Sequence, residues 1–139
     1  MEHMCIFRVG ELHMCLPIEQ VQQVFETDRI HRVPLSPRAI RGLVNLRGLV
    51  VSALDMRIVL DLNVEGPPSV NNLVAVHEGH TVSLLVDEVL GVTEVAPASI
   101  LPTPTNLPPT LQRLARGVMC RDDALVLVVD AQRIMAIAA

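Results

Sequence analysis

Two apolar runs rich in leucine and valine meet at a polar turn in the middle of the chain, over residues 42–55. Such residues fit a pleated, half-buried surface, and Gly48 supplies the backbone freedom that a tight reversal needs. The pattern predicts a β-hairpin whose turn carries Asn45, Arg47 and Gly48. A guanidinium at a turn stays near water and can reach a carboxylate or carbonyl of a partner. Arg47 is therefore the first candidate contact residue, and the alternative is a solvated arginine that only ends a strand.

The amino-terminal segment predicts another hairpin, in which Met4–Val9 and Leu12–Ile18 flank the two-residue turn Gly10-Glu11. This turn sets the register, so that residue 9 faces 12, 7 faces 14 and 5 faces 16. One face of the hairpin is then apolar and consists of Cys5, Phe7, Val9, Leu12, Met14 and Leu16.

Two more hairpins are predicted, and Val89–Val95 forms a further strand. The hairpins pair Leu73–His77 with Thr81–Val86 and Arg116–Cys120 with Ala124–Val129. The weaker patterns are an irregular or helical stretch from Ile18 to Phe25, a short extended piece at Ile30–Val33, one helical turn at Pro37–Arg41 and an amphipathic or irregular segment at Leu54–Leu62. Five prolines between residues 97 and 109 exclude regular strand pairing there. Asp130 caps a short terminal helix, Ala131–Ile137.

About nine or ten short strands with little helix favour small barrels, because closing a sheet removes its exposed edges. The break at Pro67-Pro68 and the later proline-rich connector contain few serines or glycines. We therefore expect residues 1–139 to form one compact domain.

Composition and charge argue against a nucleic-acid partner. The chain has 139 residues, a net charge of −4, no lysine and only two aromatic residues, whereas nucleic-acid surfaces need basic faces and often stacking groups. The charge is uneven, however, since six arginines fall in one stretch whose only acid is Asp55. This stretch could form a patch that meets an acidic protein surface, or its arginines could point in several directions. They are Arg29, Arg32, Arg38, Arg41, Arg47 and Arg57.

The sequence shows neither a secretion signal nor an apolar stretch approaching the roughly 18–20 residues that span a bilayer. We expect a cytoplasmic protein without direct membrane insertion. Its three cysteines have no framework spacing and fit reduced thiols.

Metal binding and catalysis find little support in the sequence. His3 and Cys5 lie on one face of the predicted hairpin and His13 and Cys15 on the other, so four ligands cannot converge and a Cys5–Cys15 disulfide is disfavoured. The adjacent carboxylates Asp87 and Glu88 suit a turn better than an acid–base pair. No nucleophile elbow or phosphate loop is present. We expect neither an enzyme nor a metal or cofactor.

Several motifs in order along the chain resemble the CheW-like coupling-protein family of bacterial chemosensory systems. They include Arg32-Val-Pro34, Ile40-Arg-Gly-Leu-Val-Asn-Leu-Arg-Gly48, Leu54-Asp-Met-Arg57, Leu84-Leu-Val-Asp-Glu-Val89 and Leu127-Val-Val-Asp130. The resemblance implies two intertwined five-stranded barrels of SH3-like type that share one hydrophobic core. It also implies an adaptor that couples the cytoplasmic tip of chemoreceptors to the regulatory domain of a histidine kinase.

The resemblance further implies a partner-binding site. Arg47 matches the family's signature arginine, with Asn45 and Gly48 as its flanks, and Val21 matches an apolar position linked to receptor contact. Gln23 departs from the glutamate of better-known members, so a neutral hydrogen bond would replace a charge contact there. Two alternatives stay open: a divergent scaffold that binds a single partner, and a ligand-sensing β-barrel domain.

Overall fold

The computed structural model describes residues 1–63 and 65–138. The described chain forms ten β-strands and three short α-helices. The strands are β1 (Glu2–Val9), β2 (Leu12–Pro17), β3 (Val21–Glu26), β4 (Ile40–Leu46), β5 (Leu49–Asp55), β6 (Asn71–His77), β7 (His80–Val86), β8 (Glu88–Val95), β9 (Ala115–Arg121) and β10 (Ala124–Val129). The helices are α1 (Met56–Val59), α2 (Pro109–Leu114) and α3 (Ala131–Ala138). Within the described residues, no helix has the length and apolarity needed to cross a membrane.

The strands form two five-stranded sheets, in the orders β8-β1-β2-β10-β9 and β3-β6-β7-β5-β4. All four predicted hairpins are present, and the opening hairpin has the predicted register, with Phe7 opposite Met14 and Cys5 opposite Leu16. Each sheet contains one parallel pair, β2 with β10 and β5 with β7.

The two sheets share one topology and exchange strands. In each half of the chain a hairpin (β1–β2 or β6–β7) is followed by a strand that joins the edge of the other sheet (β3 or β8). The next hairpin, β4–β5 or β9–β10, then completes that other sheet. The barrels are therefore intertwined, as the resemblance implied.

An antiparallel bridge closes each barrel; the first barrel is formed by the sheet that contains β1, and the second barrel is formed by the sheet that contains β3. In the second barrel His31 pairs with Leu43 of β4, and in the first Leu101 pairs with Val118 of β9. Both bridges have two backbone hydrogen bonds; between His31 and Leu43 they measure 2.9 and 2.8 Å.

A glycine lies beside each closing bridge because the crossing chain leaves no room for a Cβ atom. A Cβ at Gly42 would lie 2.8 Å from the carbonyl carbon of His31, and closer still to its oxygen. At Gly117 it would lie 2.6 Å from the Ile100 Cγ2 atom and 2.9 Å from the Leu101 carbonyl oxygen. Both glycines are thus required by close approach.

The largest core cluster joins the two barrels. Phe7 and Met14 from the first sheet pack in the same cluster as Leu73 and Leu84 from the second, and Ile134 of α3 covers it. Smaller clusters fill the opposite faces: Met4, Ile6, Cys15, Val95, Met119, Val126 and Val128 in the first barrel, and Val44, Val51, Ala53 and Leu85 in the second. Among the members of these clusters Phe7 is the one aromatic residue; the others are aliphatic residues, methionines and the two cysteines Cys5 and Cys15.

Some predicted elements were wrong. Residues 21–26 form strand β3, whereas the spacing of apolar residues indicated a helical or irregular stretch. Residues 30–33 contribute only the bridge at His31, and the turn at residues 37–40 is held by one hydrogen bond, from the Ile40 N–H to the Pro37 carbonyl at 2.9 Å, before β4 begins. The proline-rich connector, for which the sequence excluded only regular strand pairing, contains helix α2, which has a proline in its first turn, where the missing N–H costs nothing.

Candidate functional site

The turn between β4 and β5 presents Arg47 on the surface. Arg47 and Gly48 have positive φ angles of 49° and 91°, the combination that characterises a type I′ turn. The side-chain oxygen of Asn45 accepts a hydrogen bond of 2.7 Å from the Gly48 N–H. Gly48 and Asn45 thus shape the turn, and Arg47 is left as its exposed, chemically active member.

Arginine is an unusual residue at a positive φ angle, where glycine, asparagine and aspartate are the residues that avoid strain. The sequence indicated a tight turn but not that Arg47 itself would take the left-handed conformation. A left-handed conformation fixes the direction in which the side chain leaves the hairpin. It therefore holds the start of this long side chain in one place.

The electrostatic surroundings of Arg47 differ from those of Arg41 and Arg57. Arg41 pairs with the carboxylate of Asp55, and Arg57 pairs with that of Asp87. In residues 1–63 and 65–138, the Arg47 guanidinium has no ion pair or hydrogen bond. The six arginines of this stretch therefore fall into two groups. Arg41 and Arg57 neutralise the carboxylates of Asp55 and Asp87. The other four are exposed: Arg29, Arg32, Arg38 and Arg47.

Exposed apolar side chains adjoin Arg47 along β5. Leu49 is 49% exposed and Val50 is 56% exposed, while the next residue, Val51, is buried inside the second barrel. The sequence favoured strand structure for all three but did not show which would face solvent. A guanidinium beside two exposed aliphatic residues is a composition that protein interfaces often use.

Val21 begins β3, which is the edge strand of the second sheet opposite to β4. It pairs with Ala75, and the register then runs through Val82 and Ser52 to Leu43. Val21 is thus level with Leu43, four residues or about 13 Å along the strand from Arg47. Its side chain packs against the shared core.

Gln23 faces a different side of the sheet from Val21. It pairs with Val74, and a register shift lies between Val21 and Gln23. Cross-strand partners share a face, so Gln23 lies on the side of Val74 and Val21 on the side of Ala75. The structure therefore brings Asn45, Arg47 and Gly48 together in one turn and places Val21 and Gln23 on β3, half-buried and on opposite faces.

Asp87 forms a junction between the two barrels that the sequence did not reveal. Its carboxylate accepts hydrogen bonds from Arg57, from the Ser69 hydroxyl at 2.8 Å and from the Gly10 N–H at 2.6 Å. Burial alone would raise the pKa of Asp87, but these donors outweigh it and hold that pKa below its usual value. Gly10 belongs to the first barrel and Asp87 follows the last strand of the second, so the carboxylate fastens one barrel to the other.

The histidine–cysteine pairs lie as the hairpin register predicted. Cys5 packs in the shared core and Cys15 packs inside the first barrel, on the opposite face of the sheet. Burial raises the pKa of the Cys15 thiol to about 12, although Arg116 acts in the other direction. The described residues contain no group of three or more His, Cys, Asp or Glu side chains placed to bind a metal ion.

Two intertwined barrels, a shared aliphatic core and an exposed arginine turn define a class of small β-barrel binding modules. The model of the CheW-like domain family matches residues 3–139, so the chain belongs to that family.

Among its curated relatives, the chemotaxis protein CheW of Rhizobium meliloti (strain 1021) is 29% identical over 126 residues, which cover 89% of this chain and 81% of the relative. Protein FrzA of Myxococcus xanthus is 32% identical over 99 residues, covering 70% of this chain and 62% of that protein. The crystal structure of the scaffolding protein TtCheW from Thermoanaerobacter tengcongensis superposes with a TM-score of 0.82 at 24% identity, covering 92% of this chain and 88% of that one. That likeness confirms the expected fold.

Proposed function

We propose that this protein is an adaptor of a bacterial chemosensory system, which couples the cytoplasmic tip of chemoreceptors to the regulatory domain of a histidine kinase. It acts by protein–protein binding, without a catalytic step, at receptor arrays on the cytoplasmic side of the membrane. Membership of the CheW-like family and the names of the relatives support this proposal. The observation that carries it is the Arg47 guanidinium, which is exposed on a hydrogen-bonded turn beside Leu49 and Val50 and has no ion pair among the described residues.

An adaptor of this kind works through geometry. Receptor and kinase are held in one arrangement, and a receptor state that binds the adaptor differently shifts kinase activity by that difference in free energy. The barrels supply the rigidity, since a shared core and the Asp87 junction fasten them together. We assign the receptor tip to the surface near Val21 and Arg47, where the resemblance implies a groove between the barrels.

The kinase regulatory domain is assigned to an apolar barrel edge. Strand β8 is an edge strand of the first sheet and carries Leu90 and Val92, which are 46% and 56% exposed. Exposed aliphatic residues on an unpaired edge suit packing against another barrel of similar construction. The buried side chains that pack inside the first barrel, such as Met4 and Cys15, favour this role over the alternative of a ligand-sensing barrel.

The test measures binding of the receptor tip and of the kinase regulatory domain by isothermal titration calorimetry. Arg47→Asn removes the charge and keeps a residue that tolerates the turn, while Arg113→Asn removes an exposed arginine elsewhere. We expect Arg47→Asn to weaken binding of at least one partner roughly tenfold, equivalent to about 1.4 kcal/mol. The control should bind within about twofold of the wild-type protein, and both variants should retain its melting temperature. Unchanged binding by Arg47→Asn would reduce Arg47 to a solvated turn residue.

Gln23 tests the alternative of a scaffold with a single partner. Gln23→Glu restores the charge that the family's better-known members carry there. If binding to the receptor tip strengthens while binding to the kinase domain stays constant, this chain has diverged at its receptor surface. If neither changes, Gln23 lies outside the contact.

A further inference from the structure

A cationic pocket lies at the end of β4 opposite the Arg47 turn. Arg32, Arg38 and Arg41 line it together with apolar side chains that include Ile40 and Ile58, and its volume is about 320 Å³. Six residues separate Arg41 from Arg47 along β4, a distance of about 20 Å in an extended strand. The pocket is therefore separate from the surface of the proposed function.

The charge of this region opposes that of the whole protein. Residues 28–41 contain four arginines and a single acid, Asp28, in a chain whose net charge is −4. Arg41 is neutralised by Asp55. Arg32 and Arg38 are exposed, and neither makes an ion pair or a side-chain hydrogen bond within residues 1–63 and 65–138. The guanidiniums of Arg32 and Arg38 thus have no counter-charge among the described residues, and they line the same pocket as the neutralised Arg41.

Backbone and side-chain bonds fix the pocket in place. The segment that carries Arg32 is bonded to β4 through the His31–Leu43 bridge, and the Asp55 N–H donates to the Ala39 carbonyl at 2.8 Å. The side chain of Asp55 is only 6% exposed, so the Arg41 guanidinium bound to it is held in a set position. A backbone that is ordered before binding lowers the entropy cost, while ordering of the exposed Arg32 and Arg38 side chains still adds to that cost.

We infer that this pocket is a second docking site, which takes a segment of a partner protein that presents two carboxylates beside an apolar side chain. Arg32 and Arg38 match carboxylates, which a guanidinium binds through paired hydrogen bonds. Ile40 and Ile58 provide a surface for the apolar side chain. A nucleic acid is disfavoured because the pocket lacks aromatic residues on which bases could stack.

The test uses a fluorescein-labelled heptapeptide in which glutamates flank leucine, and a matched peptide with glutamines in their place. Fluorescence anisotropy should show binding of the glutamate peptide roughly tenfold tighter than binding of the glutamine peptide. Its affinity should fall as salt rises from about 50 to 300 mM, because added ions screen exposed charges. The double variant Arg32→Gln/Arg38→Gln should lose about tenfold in affinity.

The control double variant Arg113→Gln/Arg121→Gln removes the same charge from arginines elsewhere on the surface and should retain affinity within about twofold. Arg47→Asn should also leave peptide binding unchanged, which separates this proposal from the receptor and kinase contacts. The inference is overturned if the two double variants lose affinity equally or if the glutamine peptide binds as tightly. It is also overturned if a thymidine oligonucleotide displaces the peptide at lower concentration, or if sedimentation shows that Arg32 and Arg38 mediate self-association.

Discussion

Closure of the second barrel depends on the absence of a side chain at Gly42, and Gly42→Ala tests this dependence. The new methyl group would collide with the backbone of His31, which is fixed by two hydrogen bonds to Leu43. Because the obstacle is backbone, no rotation of a side chain can relieve the collision. The segment at residues 28–33 must therefore move away from β4.

The expected cost follows from what the movement breaks. Two backbone hydrogen bonds contribute about 0.5–1.5 kcal/mol each, and displaced packing around Ile30 adds to this loss. We expect Gly42→Ala to lower the free energy of unfolding by about 2–4 kcal/mol. For a chain of 139 residues, each kcal/mol corresponds to roughly 3–4 °C in melting temperature, so the midpoint should fall by about 6–16 °C.

Two other glycines serve as comparisons. Gly117→Ala should cost less, because the nearest backbone atom, the Leu101 carbonyl oxygen at 2.9 Å, is farther from the new methyl group than the His31 backbone is at Gly42, and the nearer Ile100 Cγ2 atom belongs to a side chain. Gly79 has a φ angle of +80°, and no atom lies within 4 Å of the position that a Cβ would take there, so Gly79→Ala should show only the conformational cost of about 1–2 kcal/mol.

Urea unfolding followed by circular dichroism gives the three free energies, and amide hydrogen exchange reports on His31 and Leu43 directly. The expected order of destabilisation is Gly42→Ala, then Gly117→Ala, then Gly79→Ala, with loss of amide protection at His31 only in the first. If Gly42→Ala is no more costly than Gly79→Ala and the His31 amide stays protected, the bridge does not close the barrel.

Three further substitutions test the junction and the core. Asp87→Asn should cost about 2–4 kcal/mol at neutral pH, because it leaves the guanidinium of Arg57, 18% exposed, without its partner. Folding lowers the pKa of Asp87, so its carboxylate stabilises the fold fully above the unfolded pKa of about 4, and this stabilisation is lost as pH falls through the lower folded pKa. If the difference in unfolding free energy between the wild-type protein and Asp87→Asn stays constant from about pH 7 to 2 in urea titrations, this reasoning is contradicted. Phe7→Ala, in the fully buried centre of the shared core, should cost about 3–5 kcal/mol by calorimetry, and a loss below about 1 kcal/mol would mean that the core collapses around the site. Ser83→Ala removes the 2.8 Å hydrogen bond to the buried Asn72 side chain and should cost about 1–3 kcal/mol by urea unfolding, whereas a neutral effect would show that Asn72 finds another donor.

The hairpins could be predicted from the sequence because their determinants are local. In the opening hairpin, the alternation of apolar residues and a two-residue turn fix the register without reference to the rest of the chain. The same reasoning located the turn at Arg47. It could not assign that turn to a positive φ angle at Arg47, since arginine gives no signal for this conformation.

Strand β3 was missed for a physical reason that the structure makes plain. A register shift between Val21 and Gln23 interrupts the alternation of apolar residues, and β3 is an edge strand whose exposed face includes Val24. Helix α2 was missed because its prolines were interpreted only as strand breakers. Pro109 at a helix start is a recognised signal that could have found it.

The exchange of strands, the closing bridges and the Asp87 junction depend on contacts between distant parts of the chain. Gly10 and Asp87, for example, are 77 residues apart in sequence. No local pattern pairs such residues, so these features entered the sequence interpretation only through the family resemblance or not at all. The close approaches at Gly42 and Gly117 likewise arise only in the folded chain, from segments that are not adjacent in sequence.

The two proposed contact surfaces lie at opposite ends of β4, and the strand is not held equally at both. Along one side β4 pairs with β5 from Ile40 to Leu46, whereas on the other side its one backbone pairing among the described residues is the His31–Leu43 bridge. Arg32 lies next to that bridge, while the Arg47 turn depends on the β4–β5 ladder and on Asn45. Opening the bridge with Gly42→Ala should therefore weaken binding of the acidic peptide and leave Arg47-dependent binding intact. If Gly42→Ala weakens both peptide binding and Arg47-dependent binding, β4 transmits the displacement at the bridge along its whole length as a rigid unit.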